Sequence, residues 1–80
     1  MIKIGKYKHY KGKEYEVLYL AKNANDGENE LKDMVVYKQL ADYRDFPEGS
    51  VWVRNLIEFI EEVEVGGEKV QRFKYVEDSK

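Results

Sequence analysis

Short β-type runs separated by turn residues are the feature that most constrains the fold of this 80-residue chain. Aromatic and β-branched residues concentrate in 7–10, 14–22, 33–40 and 51–54, and Gly, Asn, Asp or Pro stand between these runs. Strands this short and this closely spaced predict a mainly β protein, either a small SH3-like barrel or a strongly bent antiparallel sheet. An OB-fold is the alternative, but it needs longer strands.

Two hairpins are predicted from turn residues. Gly66-Gly67 separates 63–65 from 68–76, and a two-residue turn there pairs Glu64 with Lys69. The first hairpin is expected to turn at Gly12-Lys13, because Gly favours the first position of a type II′ turn. That register places Lys11 opposite Glu14.

Strand 14–22 is expected to be covered on both sides, because both of its faces are apolar. One face carries Tyr15, Val17, Tyr19 and Ala21, and the other carries Leu18 and Leu20.

One short helical turn is predicted near 56–62. Apolar residues follow the i, i+3, i+4, i+7 spacing of a helix face at Leu56, Phe59, Ile60 and Val63. Asn55 is a suitable N-cap, and Glu58 stands three residues later as in a capping box. The acidic side of this helix is expected to face solvent. The alternative is that it docks on the lysine-rich N-terminal hairpin of a second copy.

Composition narrows the function classes. The chain is 42% hydrophobic and 38% charged, which fits one soluble domain, 1–80, with a core from 5 to 76 and a frayed tail at 77–80. There is no cysteine and one histidine, His9, so no metal site and no cofactor are expected. The acidic loop 23–31 does not match a calcium-binding pattern.

Without a recognisable nucleophile arrangement, an enzyme is not expected. No membrane span or signal peptide is visible, which predicts a cytoplasmic protein.

Charge is unevenly distributed. The first 24 residues hold six lysines and two acidic residues, although the formal net charge of the whole chain is −2. The lysines protect a strand edge from pairing, or they face an anionic partner. The six are Lys3, Lys6, Lys8, Lys11, Lys13 and Lys22.

The first candidate surface is the basic N-terminal hairpin, where rings alternate with lysines: Lys6, Tyr7, Lys8, His9, Tyr10 and Lys11. Rings that stack on bases and ammonium groups that meet phosphates are typical of single-stranded nucleic acid sites. The alternative is that the tyrosines cap the core and the lysines are solvated, since Tyr7 and His9 share one strand face while Lys8 and Tyr10 share the other.

The second candidate surface is aromatic and cationic. Trp52 and Arg54 share one face of a strand, and Tyr37 is expected beside them. Such a surface suits a peptide, a proline-rich segment or a base. The alternative is that Trp52 belongs to the core and Arg54 pairs with a carboxylate.

Five motifs in order resemble a family of small bacterial proteins catalogued as domain of unknown function sixteen-fifty-three. They are Gly5-Lys6-Tyr7-x-His9-Tyr10-Lys11-Gly12, Glu14-Tyr15-x-Val17, Val35-Val36-Tyr37, Trp52-Val53-Arg54-x-Leu56 with Phe59, and Arg72-Phe73-x-Tyr75. The resemblance covers residues 5–76 and implies an SH3-like fold. It implies no established activity or partner. Asn55 stands where the family usually has proline, and both residues suit a helix start.

Together these observations favour a non-catalytic binding module. Interaction with a protein or peptide through Tyr37, Trp52 and Arg54 is the first hypothesis. Binding of single-stranded nucleic acid or a nucleotide by the basic hairpin is the alternative. No membrane partner is expected, and the chain is expected to be a monomer or a weak homodimer.

Overall fold

A five-stranded antiparallel sheet forms the body of the protein in the computed structural model, which describes residues 2–24 and 33–77. Its strands follow the spatial order β4-β3-β2-β1-β7, and a separate hairpin contains β5 and β6. The elements are β1 (Gly5–His9), β2 (Glu14–Lys22), β3 (Asp33–Gln39), β4 (Val51–Asn55), α1 (Leu56–Ile60), β5 (Glu62–Val65), β6 (Glu68–Gln71) and β7 (Phe73–Glu77).

The first hairpin has a longer loop than the predicted one. Tyr7 lies opposite Tyr15 and Lys8 opposite Glu14, so the predicted pairing of Lys11 with Glu14 is wrong. The amide of Gly12 donates to the carbonyl oxygen of His9 at 2.7 Å, which closes a four-residue turn. Gly is favoured as the fourth residue of such a turn, and the φ of +105° at Gly12 suits a residue without Cβ.

A bulge between Val17 and Tyr19 changes which side chains of β2 face inward. Val17 is fully buried, whereas Tyr19 is 67% exposed on the outer face of the sheet. Leu20, on the far side of the bulge, packs against the core. The prediction that Tyr19 shares the face of Val17 is therefore wrong, because an inserted residue reverses the alternation of the strand.

Helix α1 begins where β4 ends. Asn55 is its N-cap residue, but its side chain donates or accepts no capping hydrogen bond, so the predicted capping box does not form. A helix of five residues has little stability of its own and persists through packing. Phe59 provides that packing, because it is 1% exposed.

The second hairpin has the predicted register, with Glu64 opposite Lys69 and Val63 opposite Val70. The single predicted strand 68–76 is divided at Arg72. Its second half, β7, leaves the hairpin and pairs with β1, where Phe73 lies opposite His9. Glu77, the first residue of the predicted tail, is the last residue of β7, and residues 78–80 lie outside the described residues.

Aromatic rings make up most of the core. Phe59 and Phe73 stack with their centroids 4.1 Å apart and their planes 3° from parallel. Tyr7 and Tyr37 meet Phe59 edge to face at 5.3 and 5.5 Å. Such pairs contribute about 0.5–1.5 kcal/mol each beyond the apolar area they bury. The buried aliphatic residues that complete this core are Val17 and Val35.

The predicted mainly β fold with a short helix is confirmed. The sheet is open among the described residues, with β4 and β7 as its two edges, so it is not a closed barrel. It is bent, because Arg54 of β4 lies 5.6 Å from the ring centroid of Phe73 in β7. The SH3-like assignment stays a prediction, as does the single domain from 1 to 80. Within 2–24 and 33–77, no helix is long and apolar enough to cross a membrane.

Candidate functional site

A pocket of about 290 Å³ opens on the inner face of the bent sheet, beside β4. Its walls combine aromatic rings with basic side chains, and none of the described residues that line it is acidic. We call it the aromatic–cationic pocket. Its lining residues are His9, Lys11, Lys13, Tyr15, Tyr37, Tyr43, Trp52, Arg54 and Phe73.

Trp52 is held at the pocket wall by a buried amide. Its indole Nε1–H donates to Oε1 of Gln39 at 2.8 Å, and Gln39 is only 2% exposed. The Gln39 Nε2 donates in turn to the carbonyl oxygens of Ala41 and Phe46, at 3.1 and 2.8 Å. Phe46 also meets the Trp52 ring edge to face at 4.9 Å. The loop that follows β3 is thereby fixed against the pocket.

Arg54 is half-buried and positioned by two aromatic residues. Its guanidinium carbon lies 5.6 Å from the centroid of the Phe73 ring, within the range of a cation–π contact. Its Nε donates to the hydroxyl of Tyr37 at 3.4 Å. Among the described residues, Arg54 forms no ion pair, and its two terminal nitrogens donate to no protein acceptor. The alternative that Arg54 pairs with a nearby carboxylate therefore finds no support in this part of the chain.

His9 contributes a neutral ring to the same pocket. Its Nδ1 accepts a hydrogen bond from the backbone N–H of Lys11 at 3.1 Å, so the ring proton of the neutral form resides on Nε2. Burial lowers the pKa of His9, and the positive charges of Arg54, Lys11 and Arg72 lower it further. Positive charges therefore surround His9, and its uncharged ring offers a donor at Nε2.

The structure brings together residues from both predicted surfaces. Tyr37, Trp52 and Arg54 from the second surface share the pocket with His9 and Lys11 from the first. These residues lie on or beside three strands, so only the bending of the sheet makes them neighbours.

The other predicted residues of the first surface lie elsewhere. Tyr7 is a core residue with 5% exposure, and its hydroxyl donates to the carbonyl oxygen of Lys3 at 2.7 Å. Lys6 pairs with Glu77 at 3.4 Å. Lys8 and Tyr10, together with His9, border a second hollow of about 500 Å³ beside the second hairpin, and Trp52 and Arg54 do not line it. The predicted residues of the basic hairpin are thus divided among the core, an ion pair and two hollows that share His9.

Sequence reasoning missed four lining residues and the residue that supports them. The sequence places Tyr15 on a strand face and in a motif, Phe73 in a motif and Lys13 among the six N-terminal lysines, and it assigns Tyr43 to no candidate surface. Tyr15 could have been found from the corrected register, because its partner in β3 is Gln39, two residues from Tyr37. Gln39 itself carries no signal in the sequence, since a single glutamine in a strand is ordinary.

No group of three or more potential metal ligands occurs among residues 2–24 and 33–77. The acidic loop that was compared with calcium sites falls almost wholly in 25–32, outside the described residues.

Two comparisons place the chain among known proteins. The family described as "Protein of unknown function (DUF1653)" matches residues 5–75. A crystal structure of a protein belonging to that family from Bordetella bronchiseptica is similar, with a TM-score of 0.76 and 30% sequence identity. The similarity covers 99% of this chain and 92% of the other. No curated protein matches the sequence.

Proposed function

We propose that this chain, which belongs to the DUF1653 family of proteins of unknown function, is a non-catalytic binding module that holds a segment of a partner protein in the aromatic–cationic pocket. The observation that carries the proposal is Arg54, a half-buried residue whose two terminal guanidinium nitrogens donate to no acceptor among the described residues. It lines a concave pocket with aromatic walls.

Charge and shape indicate the kind of segment. Taking a guanidinium partly out of water costs free energy unless an anion or a set of acceptors compensates. The Arg54 guanidinium carbon lies 5.6 Å from the Phe73 ring centroid and its Nε donates to the Tyr37 hydroxyl, so its two terminal nitrogens are available for an oxyanion. Lys11 and Lys13 are exposed at the same pocket and attract negative charge. The expected partner segment is therefore anionic.

The remaining walls suit apolar contact. Tyr15, Tyr37 and Trp52 line the pocket, and aromatic side chains contribute a large share of the binding free energy at protein interfaces. The lining residues include no serine and no pair of carboxylates, which supports binding without catalysis.

Binding of single-stranded nucleic acid is the second candidate. It is favoured by one observation, namely that His9, Lys11 and Lys13 of the basic hairpin line the same pocket as Trp52. A base could stack on a ring while the lysines meet phosphates. The burial of Tyr7 and the pairing of Lys6 with Glu77 reduce the surface available for this function.

Amide NMR titration distinguishes the two candidates. Labelled protein is titrated with a pool of mixed-sequence peptides and, separately, with a pool of short single-stranded DNA and RNA, at low and physiological salt. Arg54→Gln removes the pocket cation, and Lys69→Gln is the matched control, because Lys69 is exposed on β6 and lies outside the pocket.

The proposal expects the peptide pool to shift pocket amides in the native chain and in Lys69→Gln, but not in Arg54→Gln. Shifts caused only by the nucleic acid pool, and reduced by salt, would replace it with the second candidate. No shift with either pool would contradict both.

A further inference from the structure

The occupant of the pocket can be defined more closely, in an inference that rests on the proposed function. Arg54 offers one fixed point for an anion. Trp52, two residues earlier on the same face of β4, offers an apolar wall. Residues two apart on a strand are about 6.6 Å apart. The occupant must therefore combine an anion and an apolar group over a short distance.

The size of the pocket limits the occupant further. A volume of about 290 Å³ lies at the lower limit of pockets that hold small molecules, roughly 300–1,000 Å³. Such a pocket takes about one amino-acid residue, and not a folded segment or a helix.

The side chains of internal acidic residues match this combination poorly. Aspartate and glutamate carry only one or two methylene groups beside the carboxylate, which leaves the aromatic walls without a partner. A chain-terminal residue carries both elements, because its α-carboxylate and its side chain leave the same carbon. We infer that the pocket captures the C-terminal residue of a partner chain, with the α-carboxylate on the Arg54 fork and a large apolar side chain against Trp52 and Tyr37.

Further lining residues are consistent with such a terminus. His9 presents a neutral Nε2–H, which can donate to a carboxylate oxygen or a backbone carbonyl without adding charge. Lys11 and Lys13 are exposed at the pocket, so they attract the negative terminus over a distance and need not contact it.

The test uses three synthetic hexapeptides that differ only at their ends. One ends in phenylalanine with a free carboxylate, the second is the same peptide with a C-terminal amide, and the third ends in glycine with a free carboxylate. Binding is followed by amide NMR of the intact chain and by the fluorescence of Trp52. The free-acid phenylalanine peptide is expected to bind about tenfold or more tightly than either of the others, since it alone makes the charge-assisted bonds and the apolar contact.

Variants of the protein identify the side chain that binds the C-terminal carboxylate of the peptide. Arg54→Gln is expected to remove the difference between acid and amide, and Lys69→Gln is expected to retain it. Arg54→Lys, which keeps the charge but loses the planar fork, is expected to keep only part of the difference.

Two results would overturn the inference in different ways. If acid and amide bind the pocket equally well, the C-terminal inference fails and the proposed peptide-binding function stands. If none of the peptides shifts a pocket amide, including those ending in phenylalanine, while the mixed peptide pool does, capture of a terminus is again refuted. If neither the hexapeptides nor the pool shifts the pocket, the proposed function fails as well.

Discussion

The buried amide of Gln39 determines both the stability of the domain and the position of Trp52. Gln39→Met keeps the length of the side chain but removes three hydrogen bonds, one from Trp52 and two to the carbonyl oxygens of Ala41 and Phe46. Each hydrogen bond contributes about 1 kcal/mol net to the free energy of unfolding, so the three together contribute about 3 kcal/mol. The two carbonyls belong to exposed residues and regain water in part, so we expect a loss of about 2–3 kcal/mol.

That loss is large for a domain of this size. Stability of roughly 0.05–0.15 kcal/mol per residue gives about 4–12 kcal/mol for the whole chain. The melting temperature should fall by roughly 10–20 °C. Urea denaturation followed by the fluorescence of Trp52, the only tryptophan, measures the change directly.

A double-mutant cycle separates the amide from general packing. Trp52→Phe keeps a ring beside Phe46 but has no N–H, and its unfolding is followed by circular dichroism. In that background Gln39→Met should cost about 1 kcal/mol less than in the native chain, because one of its hydrogen bonds is already absent. A loss below about 1 kcal/mol for Gln39→Met, or effects additive to within about 0.5 kcal/mol, would refute this account of the loop and the pocket.

Three further predictions concern other parts of the molecule. Burial and the charge of Arg54 lower the pKa of His9 in the folded chain. The contribution of His9 to stability is therefore complete above the ordinary pKa of 6.5 and is lost as the pH falls through the folded pKa. Between pH 8 and pH 5, the melting temperature should change less with pH in His9→Asn than in the native chain. Gly12→Ala should lower the free energy of unfolding by about 1–2 kcal/mol in urea denaturation. The cause is the φ of +105° at Gly12, since no atom lies within 4 Å of an added Cβ. An equal loss of unfolding free energy in Lys11→Ala would contradict this cause. Phe59→Ala should lower the free energy of unfolding by about 3–5 kcal/mol in urea denaturation followed by circular dichroism, because it removes a ring that is 1% exposed.

The two hairpins show what local sequence can and cannot specify. Gly66-Gly67 predicts the correct register because both residues take positive φ and the flanking Glu64 and Lys69 are complementary. A lone Gly12 is compatible with two turns, as the first residue of a two-residue loop or the last of a four-residue turn. The second is adopted, and its choice shifts the register by three residues.

Other features depend on contacts distant in sequence. The bulge in β2 leaves no mark in the apolar pattern, because Leu18, Tyr19 and Leu20 are apolar on both faces. The break before β7 is stabilised by Arg72, whose guanidinium donates to the carbonyl oxygen of Glu58 and pairs with the carboxylate of Glu61 at 2.7 Å. Neither partner could be identified before the helix and the strand were placed.

The candidate site, too, is predictable from the sequence where it depends on local alternation and unpredictable where it depends on distant contacts. Alternation along β4 predicts correctly that Trp52 and Arg54 share a face, and the register of β3 places Tyr37 beside Trp52. The pocket as a cavity was not predictable, because it exists only where the bent sheet brings Phe73 of β7 under Arg54 of β4. These strands are not hydrogen-bonded to each other among the described residues.

The core and the pocket therefore share the same aromatic rings. Phe59 of α1 stacks on Phe73, and the same Phe73 ring carries the guanidinium of Arg54. Tyr37 contacts both phenylalanine rings edge to face and accepts the Nε–H of Arg54. A substitution that loosens the phenylalanine stack removes the surface on which the guanidinium rests, and so it should weaken ligand binding even where the chain stays folded. The stability of the chain and the proposed recognition depend on the same rings, which hold the half-buried Arg54 in place.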